Sequence, residues 1–135
     1  MSYKKHMYKA KTVKGGNWIY GDLIHGLYNT VSIGYRDDSG LHELYVDKDT
    51  VCQYIEVNGQ KFWENDIVQF DKNCIGCIKF GSYKSEFDPR ETEHYGFYIE
   101  WIDVPYFRKD IGYWTKEEKI KVIGNIFDNA ELITK

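Results

Sequence analysis

The feature that most constrains this chain is the spacing of its apolar residues, which recur at every second position. Between residues 94 and 102, large apolar side chains alternate with polar or small ones. Because successive side chains of a strand point to opposite faces of a sheet, this period predicts β-strands. The same period, in β-branched and aromatic residues, predicts further strands at 6–13, 17–24, 30–35, 42–46, 67–71, 77–80 and 119–123.

Turn-forming residues separate these strands at short intervals. Asn58-Gly59 predicts a hairpin between residues 54–57 and 60–63, because both turn residues tolerate positive φ. Residues 84–93 are acidic and predict a solvated loop. Helix is scarce, and we predict only a short C-terminal helical turn capped by Asp128. Many short strands with turns between them are typical of a small barrel or sandwich.

The composition supports a single, mainly β domain. The chain has 135 residues, of which 42% are hydrophobic and 17% aromatic, enough to bury a core without disulfides or a structural metal. No internal repeat or domain boundary is visible, so we predict one domain spanning residues 1–135. The net charge of −3 provides no overall basic field for nucleic acid.

Cysteine usage and hydropathy bear on the compartment. Three cysteines cannot all pair within one chain, which favours a reducing environment. The first fourteen residues carry five lysines but no apolar run of the kind found in signal peptides. The longest uncharged run, Leu23 to Tyr35, is too short and too polar to span a bilayer. We therefore expect a cytoplasmic protein with no membrane partner.

Cys74 and Cys77 form a C-x-x-C motif, the strongest metal-binding pattern in the sequence. A structural zinc site needs four ligands, usually from two such pairs. Only Cys52 and four scattered histidines remain, and they form no second pair. We therefore interpret Cys77 as a small buried hydrophobe and expect no metal or other cofactor.

Four titratable residues could be assigned to acid–base catalysis, namely Glu64, Asp66, His94 and Glu100. No nucleophile or metal set accompanies them. The alternative is that Asp66 opens a strand and caps the preceding turn through its side chain. We favour this structural interpretation, so no enzyme is expected, and a hydrolase based on these residues is the least favoured alternative.

The aromatic residues at 95, 97 and 101 could form a stacking platform for single-stranded nucleic acid. Such platforms lie in basic grooves, whereas Glu91, Glu93, Glu100 and Asp103 surround this stripe. We therefore predict that the stripe packs in the core. A nucleic-acid-binding barrel that uses the lysine-rich first strand and exposed aromatics stays open as the alternative function, although nucleic acid is not the expected partner.

Several blocks of sequence, in order along nearly the whole chain, resemble the motifs of one family. Residues 46–51 with Gln53-Tyr54, residues 58–61 and residues 64–68 form the first part of the resemblance. Residues 94–101 and 122–132 form its second part. This pattern is similar to that of the YopX family of phage and prophage proteins. Cys52 and Asn65 stand where the family usually has glycine, which affects local turn geometry.

The resemblance implies an SH3-like β-barrel with little helix and a phage or prophage origin, and it carries over no catalytic residue. It also marks motif positions whose role, structural or binding, is unknown. These are Gln53, Tyr54, Glu64, Asp66, Gly81, His94, Gly96, Phe97, Glu100, Trp101, Gly124 and Asn125.

The chain contains 23 aromatic residues, more than a small barrel shelters. Residues 104–114 are predicted to form a loop because of Pro105 and Gly112, yet they hold four aromatics. Exposed rings form patches that monomers rarely carry, and closed homo-oligomers commonly bury such patches. We therefore predict a homo-oligomer whose contact includes Tyr106, Phe107, Tyr113 and Trp114.

The function favoured by the sequence is that of a non-enzymatic phage or prophage accessory protein. Such a β-barrel module would bind a host or phage protein, or assemble with itself, in the bacterial cytoplasm. The excess of aromatic residues supports this hypothesis, because aromatic side chains are enriched in contact surfaces.

Overall fold

The computed structural model describes residues 7–84, 89–90, 92–102, 108–116 and 119–134. This part of the chain is mainly β, with 59% strand and one α-helix. The strands are β1 (Tyr8–Lys11), β2 (Trp18–His25), β3 (Val31–Asp37), β4 (Gly40–Tyr45), β5 (Cys52–Val57), β6 (Gln60–Trp63), β7 (Asp66–Phe70), β8 (Cys74–Lys84), β9 (Glu93–Trp101) and β10 (Ile120–Asn125). The helix is α1 (Ile111–Thr115), and three short 3-10 helices cover Leu27–Asn29, Lys48–Thr50 and Ala130–Leu132.

The prediction of a mainly β chain is confirmed, and so is the predicted hairpin at Asn58-Gly59. Asn58 and Gly59 both have positive φ, of 51° and 82°, and join β5 to β6 as a hairpin. The C-terminal helical turn is also present, as the 3-10 helix Ala130–Leu132. The N-cap residue of this 3-10 helix is Asn129, so the prediction that Asp128 caps it is wrong.

The prediction of a continuous loop over 104–114 is wrong for its last four residues, which are helical, and residues 104–107 lie outside the described part of the chain. Helix α1 begins at Ile111, and Asn58 Nδ2 donates to the Gly112 carbonyl and to Thr115 Oγ1 at 3.3 and 3.0 Å. Ile111 and Trp114 lie four-fifths of a turn apart on this helix and are both buried. Burial of these side chains therefore overrides the weak helix propensity of a segment that contains glycine and aromatic residues.

The strands form two antiparallel sheets, ordered β4-β3-β2-β1-β5-β6 and β10-β7-β8-β9. The chain divides into two compact units, which we call unit 1 (Met1–Tyr54) and unit 2 (Ile55–Lys135), so the division falls within β5. The single domain over 1–135 stays a prediction. No closed barrel is detected in the described residues, so the SH3-like barrel is not confirmed.

Unit 1 has a small core. Ala10 and Ile33 are fully buried, Val46 nearly so, and partly buried neighbours from β1, β2 and β3 pack against them. Gly21 is required here because a Cβ at this position would lie 2.1 Å from the Gly34 carbonyl oxygen. This close approach packs β2 against β3.

Unit 2 has a larger core built on β6 to β10 and α1. Its buried members are Phe62, Val68, Ile78, Ile99, Trp101, Ile111, Trp114 and Ile120. The indole nitrogens of Trp101 and Trp114 both donate to the Arg108 carbonyl oxygen at 2.8 Å. This satisfies the polar atom of each indole, so both large rings can be buried without a desolvation penalty. No helix in the described part is long and apolar enough to cross a membrane.

Candidate functional site

Unit 1 exposes apolar side chains around two adjoining clefts near the end of β4. The clefts have volumes of about 350 and 370 Å³ and share Val13 and Tyr45, which are 67% and 66% exposed. We call the pair the Tyr45 cleft, and it is lined by residues 12–14, 29–31, 44–46 and 48. Apolar side chains this exposed and this clustered are typical of interaction surfaces.

Backbone contacts between β1 and β4 create the Tyr45 cleft. Thr12 and Val46 form an isolated antiparallel bridge, and the Val13 amide donates to the Tyr45 carbonyl at 3.1 Å. The Asp47 amide donates to the Lys11 carbonyl at 2.9 Å. These bonds hold Val13 beside Tyr45 although 32 positions separate the two residues in sequence.

The loop between β2 and β3 supplies one wall of the cleft. Tyr28 and Asn29 have left-handed φ values of 57° and 62°, and Tyr28 is 95% exposed. The Gly26 amide donates to the Thr30 carbonyl at 2.9 Å, which closes the loop. A left-handed conformation is uncommon for an aromatic residue, and backbone strain of this kind concentrates at functional sites. The loop therefore presents a bare aromatic ring in a fixed backbone geometry.

Two lysines lie among the residues that line the cleft. Lys14 lines one of the two parts and Lys48 lines the other. The Asp47 carboxylate next to Lys48 accepts the Asp49 amide at 3.0 Å as the cap of a 3-10 helix. The cleft thus combines an apolar centre with two cations, and it can bind an apolar segment that carries acidic residues.

A serine, a histidine and an aspartate meet at the β3–β4 turn. Asp37 Oδ1 accepts bonds from the Ser39 amide (2.9 Å), Ser39 Oγ (2.7 Å) and His42 Nε2 (2.8 Å). Ser39 Oγ also lies 2.8 Å from the same His42 nitrogen. A catalytic triad places the acid and the hydroxyl on opposite ring nitrogens, so this cluster is a turn stabiliser. The bonds from Ser39 and from His42 lower the pKa of Asp37 to about 2.

Three of the predicted acid–base residues have separate contacts in the structure. Asp66 Oδ2 accepts the Trp63 amide at 2.8 Å, which confirms the turn-capping role. Glu100 lies 3.7 Å from the Lys109 ammonium. His94 stacks on Tyr83 and lies six residues from Glu100 along β9, roughly 20 Å away at the rise of a strand. His94 and Glu100 are therefore held apart.

Motif residues at the β6–β7 and β10 turns have structural roles. Asn65, next to Glu64, has φ of 72° and accepts the Ile126 amide at 3.1 Å through its carbonyl. Asn125 Oδ1 accepts the Phe127 and Asp128 amides, each at 2.9 Å. A Cβ at Gly124 would lie 2.5 Å from Asn129 Oδ1, so this position requires glycine.

Two motif glycines face each other in the β8–β9 ribbon. Gly81 pairs with Gly96, and their φ values of 151° and 153° are in the region that favours glycine. On one side of this pair, Tyr83 stacks on Tyr98 at 4.8 Å, covering the gap that the missing side chains leave. The role of these glycines is therefore to shape the ribbon.

The aromatic stripe of β9 is only partly in the core. Ile99 and Trp101 are buried, as predicted, and Phe97 is half-buried against Phe80. Tyr95 is 77% exposed, so the prediction of core packing is wrong for this residue. The reason is that Tyr95 lies in the part of the β8–β9 ribbon that extends beyond the core, whereas Ile99 and Trp101 lie in the part that the core of unit 2 covers.

The remaining motif residues lie on β5, which also carries Cys52, and the other two cysteines lie on β8. Gln53 pairs with Tyr8, and the Tyr54 amide donates to the Met7 carbonyl at 2.7 Å. All three cysteines are free thiols, and Cys77 is buried as predicted. Burial raises the pKa of the Cys77 thiol, which disfavours the thiolate that metals bind. Among the described residues, no group of three His, Cys, Asp or Glu side chains is placed to hold a metal ion.

The homo-oligomer stays a prediction, and the structure describes two of the four residues assigned to its contact. Tyr106 and Phe107 lie outside the described residues. Trp114 is 5% exposed and part of the core of unit 2, so it is not one of the exposed rings from which the contact was predicted. Tyr113 is half-buried, with the Arg108 guanidinium 4.5 Å and the Lys119 ammonium 4.4 Å from its ring centroid. Only Tyr113 stays available among the described candidates.

Sequence reasoning missed the Tyr45 cleft, which depends on a pairing between distant segments. One local signal was present: Leu27 and Tyr28 are large apolar residues between Gly26 and Asn29, which are turn formers. Apolar residues at the tip of a turn have no core to enter, so they indicate a contact surface.

Comparison with known proteins identifies the family of the chain. No curated protein and no solved structure gave a significant match. The model of the YopX protein family matches residues 3–134, which is nearly the whole chain. The match includes both units and every motif position described above, and the chain therefore belongs to the YopX protein family.

Proposed function

We propose that this protein is a non-enzymatic accessory protein of a phage or prophage that binds a protein partner through the Tyr45 cleft. The observation that carries the proposal is the exposure of Val13 and Tyr45 around a cleft in a unit with a small core. The acid–base candidates support the non-enzymatic part, because Asp66 is engaged in a turn and His94 is stacked on Tyr83.

The occupant we propose is an extended segment of the partner with alternating apolar residues and at least one acidic residue. The two parts of the cleft lie on either side of a shared wall formed by Val13 and Tyr45. Alternate side chains of an extended segment are about 7 Å apart and point the same way, so two of them can enter the two parts. Lys14 and Lys48 would then attract the acidic residue.

The edge position of β4 supports an extended partner. The Val46 amide donates to the Val31 carbonyl, which fixes the alternation of ladder bonds along β4. By this alternation the backbone groups of Leu41 and Glu43 point away from β3, towards the outer edge of the sheet. Addition of a strand at such an edge is a common mode of peptide recognition.

As part of the same proposal, unit 1 has the SH3-like architecture that the family resemblance implies, and the protein acts in the bacterial cytoplasm. The Thr12–Val46 bridge supports this architecture because it links the end of β1 to the end of β4.

The first experiment places a photo-crosslinking amino acid at position 45 or, as the control, at position 95. Tyr95 is a matched control because it is also a highly exposed tyrosine but belongs to unit 2. In induced host cells we expect position 45 to crosslink to a discrete protein that position 95 does not capture. The purified partner should then bind the wild type at least about tenfold more tightly than Tyr45→Ser, with Tyr95→Ser unchanged. Equal affinities for the two variants would contradict the proposal.

Light scattering tests self-assembly, which the sequence predicts. A mass near 16 kDa at tens of micromolar protein would contradict the homo-oligomer. A larger mass that Tyr45→Ser reduces to the monomer would make a second copy the occupant of the cleft, against our proposal of a different protein. A larger mass that only Tyr113→Ser reduces would assign the oligomer contact to the surface predicted from the sequence and would leave the Tyr45 cleft for the partner.

A further inference from the structure

Unit 1 has another cleft, which combines aromatic rings with cations. It has a volume of about 380 Å³ and lies where β2 begins and β3 ends. It is lined by Trp18, Ile19, Tyr20, Tyr35 and Arg36, and we call it the Trp18 cleft. Three of its five lining side chains are aromatic and a fourth is a guanidinium, a composition unlike that of the Tyr45 cleft.

The lysines of β1 add positive charge to one wall of this cleft. In the β1–β2 register, Lys9 is opposite Tyr20 and Lys11 is opposite Trp18. The Lys9 and Lys11 ammonium groups lie 4.4 and 5.4 Å from the Trp18 ring centroid. The lysine-rich strand of the sequence is thus placed beside the half-buried Trp18 and the exposed Tyr20, with Lys9 buried and Lys11 half-buried. The whole-chain charge of −3 does not show this local arrangement.

A chain of contacts holds the opposite wall in position. The His42 ring stacks on Tyr35 at 5.0 Å with an interplanar angle of 23°. Asp37 and Ser39 hold His42 in place, each 2.8 Å from His42 Nε2. We call these three residues of the β3–β4 turn the turn cluster. Rigid aromatic walls reduce the entropic cost of binding a planar ligand. The turn cluster is therefore a set of positioning residues for Tyr35.

We propose that the Trp18 cleft binds one nucleotide, with the base stacked on its aromatic walls and the phosphate on Arg36 and Lys11. The volume of the cleft suits one nucleotide and not a longer strand. Aromatic stacking is the common means of holding an unpaired base, and a guanidinium pairs with phosphate through two parallel bonds. The nucleotide is either free or one unit of a single strand, because the recognised chemistry is the same.

The test uses the full chain at low salt and a fluorescein-labelled single-stranded dT oligonucleotide of twelve nucleotides, followed by fluorescence anisotropy. We expect a dissociation constant on the order of 10–100 µM that weakens with salt. An abasic oligonucleotide of equal length should compete at least about fivefold less well, because it cannot stack. Competition by thymidine monophosphate would show that free nucleotides are accepted, and its failure would assign the site to single strands; both support the proposal.

Two variants and their controls locate the site. Arg36→Gln should weaken binding and reduce the salt slope by about 0.7, whereas Lys121→Gln on the exposed face of β10 removes the same charge without effect. Tyr20→Ser should weaken binding at least about fivefold, and Tyr95→Ser should not. Equal competition by the abasic strand or by hexaglutamate would overturn the proposal. So would equal effects of Arg36→Gln and Lys121→Gln.

Discussion

The two units of this protein use their apolar residues in opposite ways. Unit 2 buries eight large side chains in one core, including two indoles whose nitrogens share a carbonyl. The apolar core cluster of unit 1 has only three buried members, Ala10, Ile33 and Val46. Unit 1 leaves Val13 and Tyr45 exposed around the Tyr45 cleft and Tyr28 exposed in the β2–β3 loop. Stability from packing is therefore concentrated in unit 2, and surface available for binding is concentrated in unit 1. An aromatic-rich composition alone does not distinguish these two uses.

Replacement of a core indole should have the largest effect. We expect Trp114→Ala to lower the free energy of unfolding by about 3–5 kcal/mol, because it leaves a cavity beside Trp101 and Phe70. Urea denaturation measures this change. Tyr45→Ala is the control from unit 1 and should stay within about 0.5 kcal/mol of the wild type. A similar loss of unfolding free energy in the two variants would contradict the difference in packing between the units.

A smaller effect is expected from filling the space at Gly124. Gly124→Ala should cost about 1–3 kcal/mol, because the new methyl group would lie 2.5 Å from Asn129 Oδ1. That oxygen accepts the Asn125 amide at 3.1 Å and is not free to move. Gly112→Ala is the matched control in α1, where a Cβ meets no atom within 4 Å. Alanine should be neutral or stabilising there by up to about 1 kcal/mol, and denaturation curves in which both variants lose stability equally would contradict the structural role of Gly124.

The smallest effect concerns the turn cluster of unit 1 and depends on pH. The pKa of Asp37 falls from 3.8 to about 2 in the folded protein, chiefly through its bonds with Ser39 and His42. The cluster therefore stabilises the fold above pH 3.8, and this contribution is lost as the pH falls towards about 2. NMR titration of the Asp37 carboxyl group measures the pKa directly.

Ser39→Ala provides the control for this titration. It removes the hydroxyl that donates to Asp37, so the pKa of Asp37 should rise towards 3.8. A pKa that does not change in the variant would show that the Ser39 hydroxyl does not hold the carboxylate in its charged form.

The strands and the main hairpin could be predicted from the sequence because their signals are local. Alternation over residues 94–102 predicts a strand, and β9 spans Glu93–Trp101. The Asn58-Gly59 pair predicts a hairpin turn because both residues accept positive φ. Helix α1 could not be predicted, because Trp114 is helical through the packing of its ring and not through local propensity.

The candidate sites were beyond sequence reasoning for a related reason. Val13 and Tyr45 are brought together by the long-range Thr12–Val46 bridge and by the bond from the Val13 amide to the Tyr45 carbonyl. The periodicity within a strand does not indicate which strand ends lie side by side. The lysine-rich strand was visible, but its significance depends on the register that places Lys11 opposite Trp18. Net charge is a property of the whole chain and carries no information on such local pairing.

The shared carbonyl of Arg108 also gives unit 2 an optical signature of its own. Trp101 and Trp114 are held with ring centroids 5.1 Å apart and planes inclined by 62°. Two indoles at this distance and angle couple their electronic transitions, which produces a pair of circular dichroism bands of opposite sign. The only tryptophan of unit 1, Trp18, has the Lys9 and Lys11 ammonium groups 4.4 and 5.4 Å from its ring centroid. The band pair arises from two rings of the unit 2 core, so a ligand that enters either cleft of unit 1 should leave it unchanged.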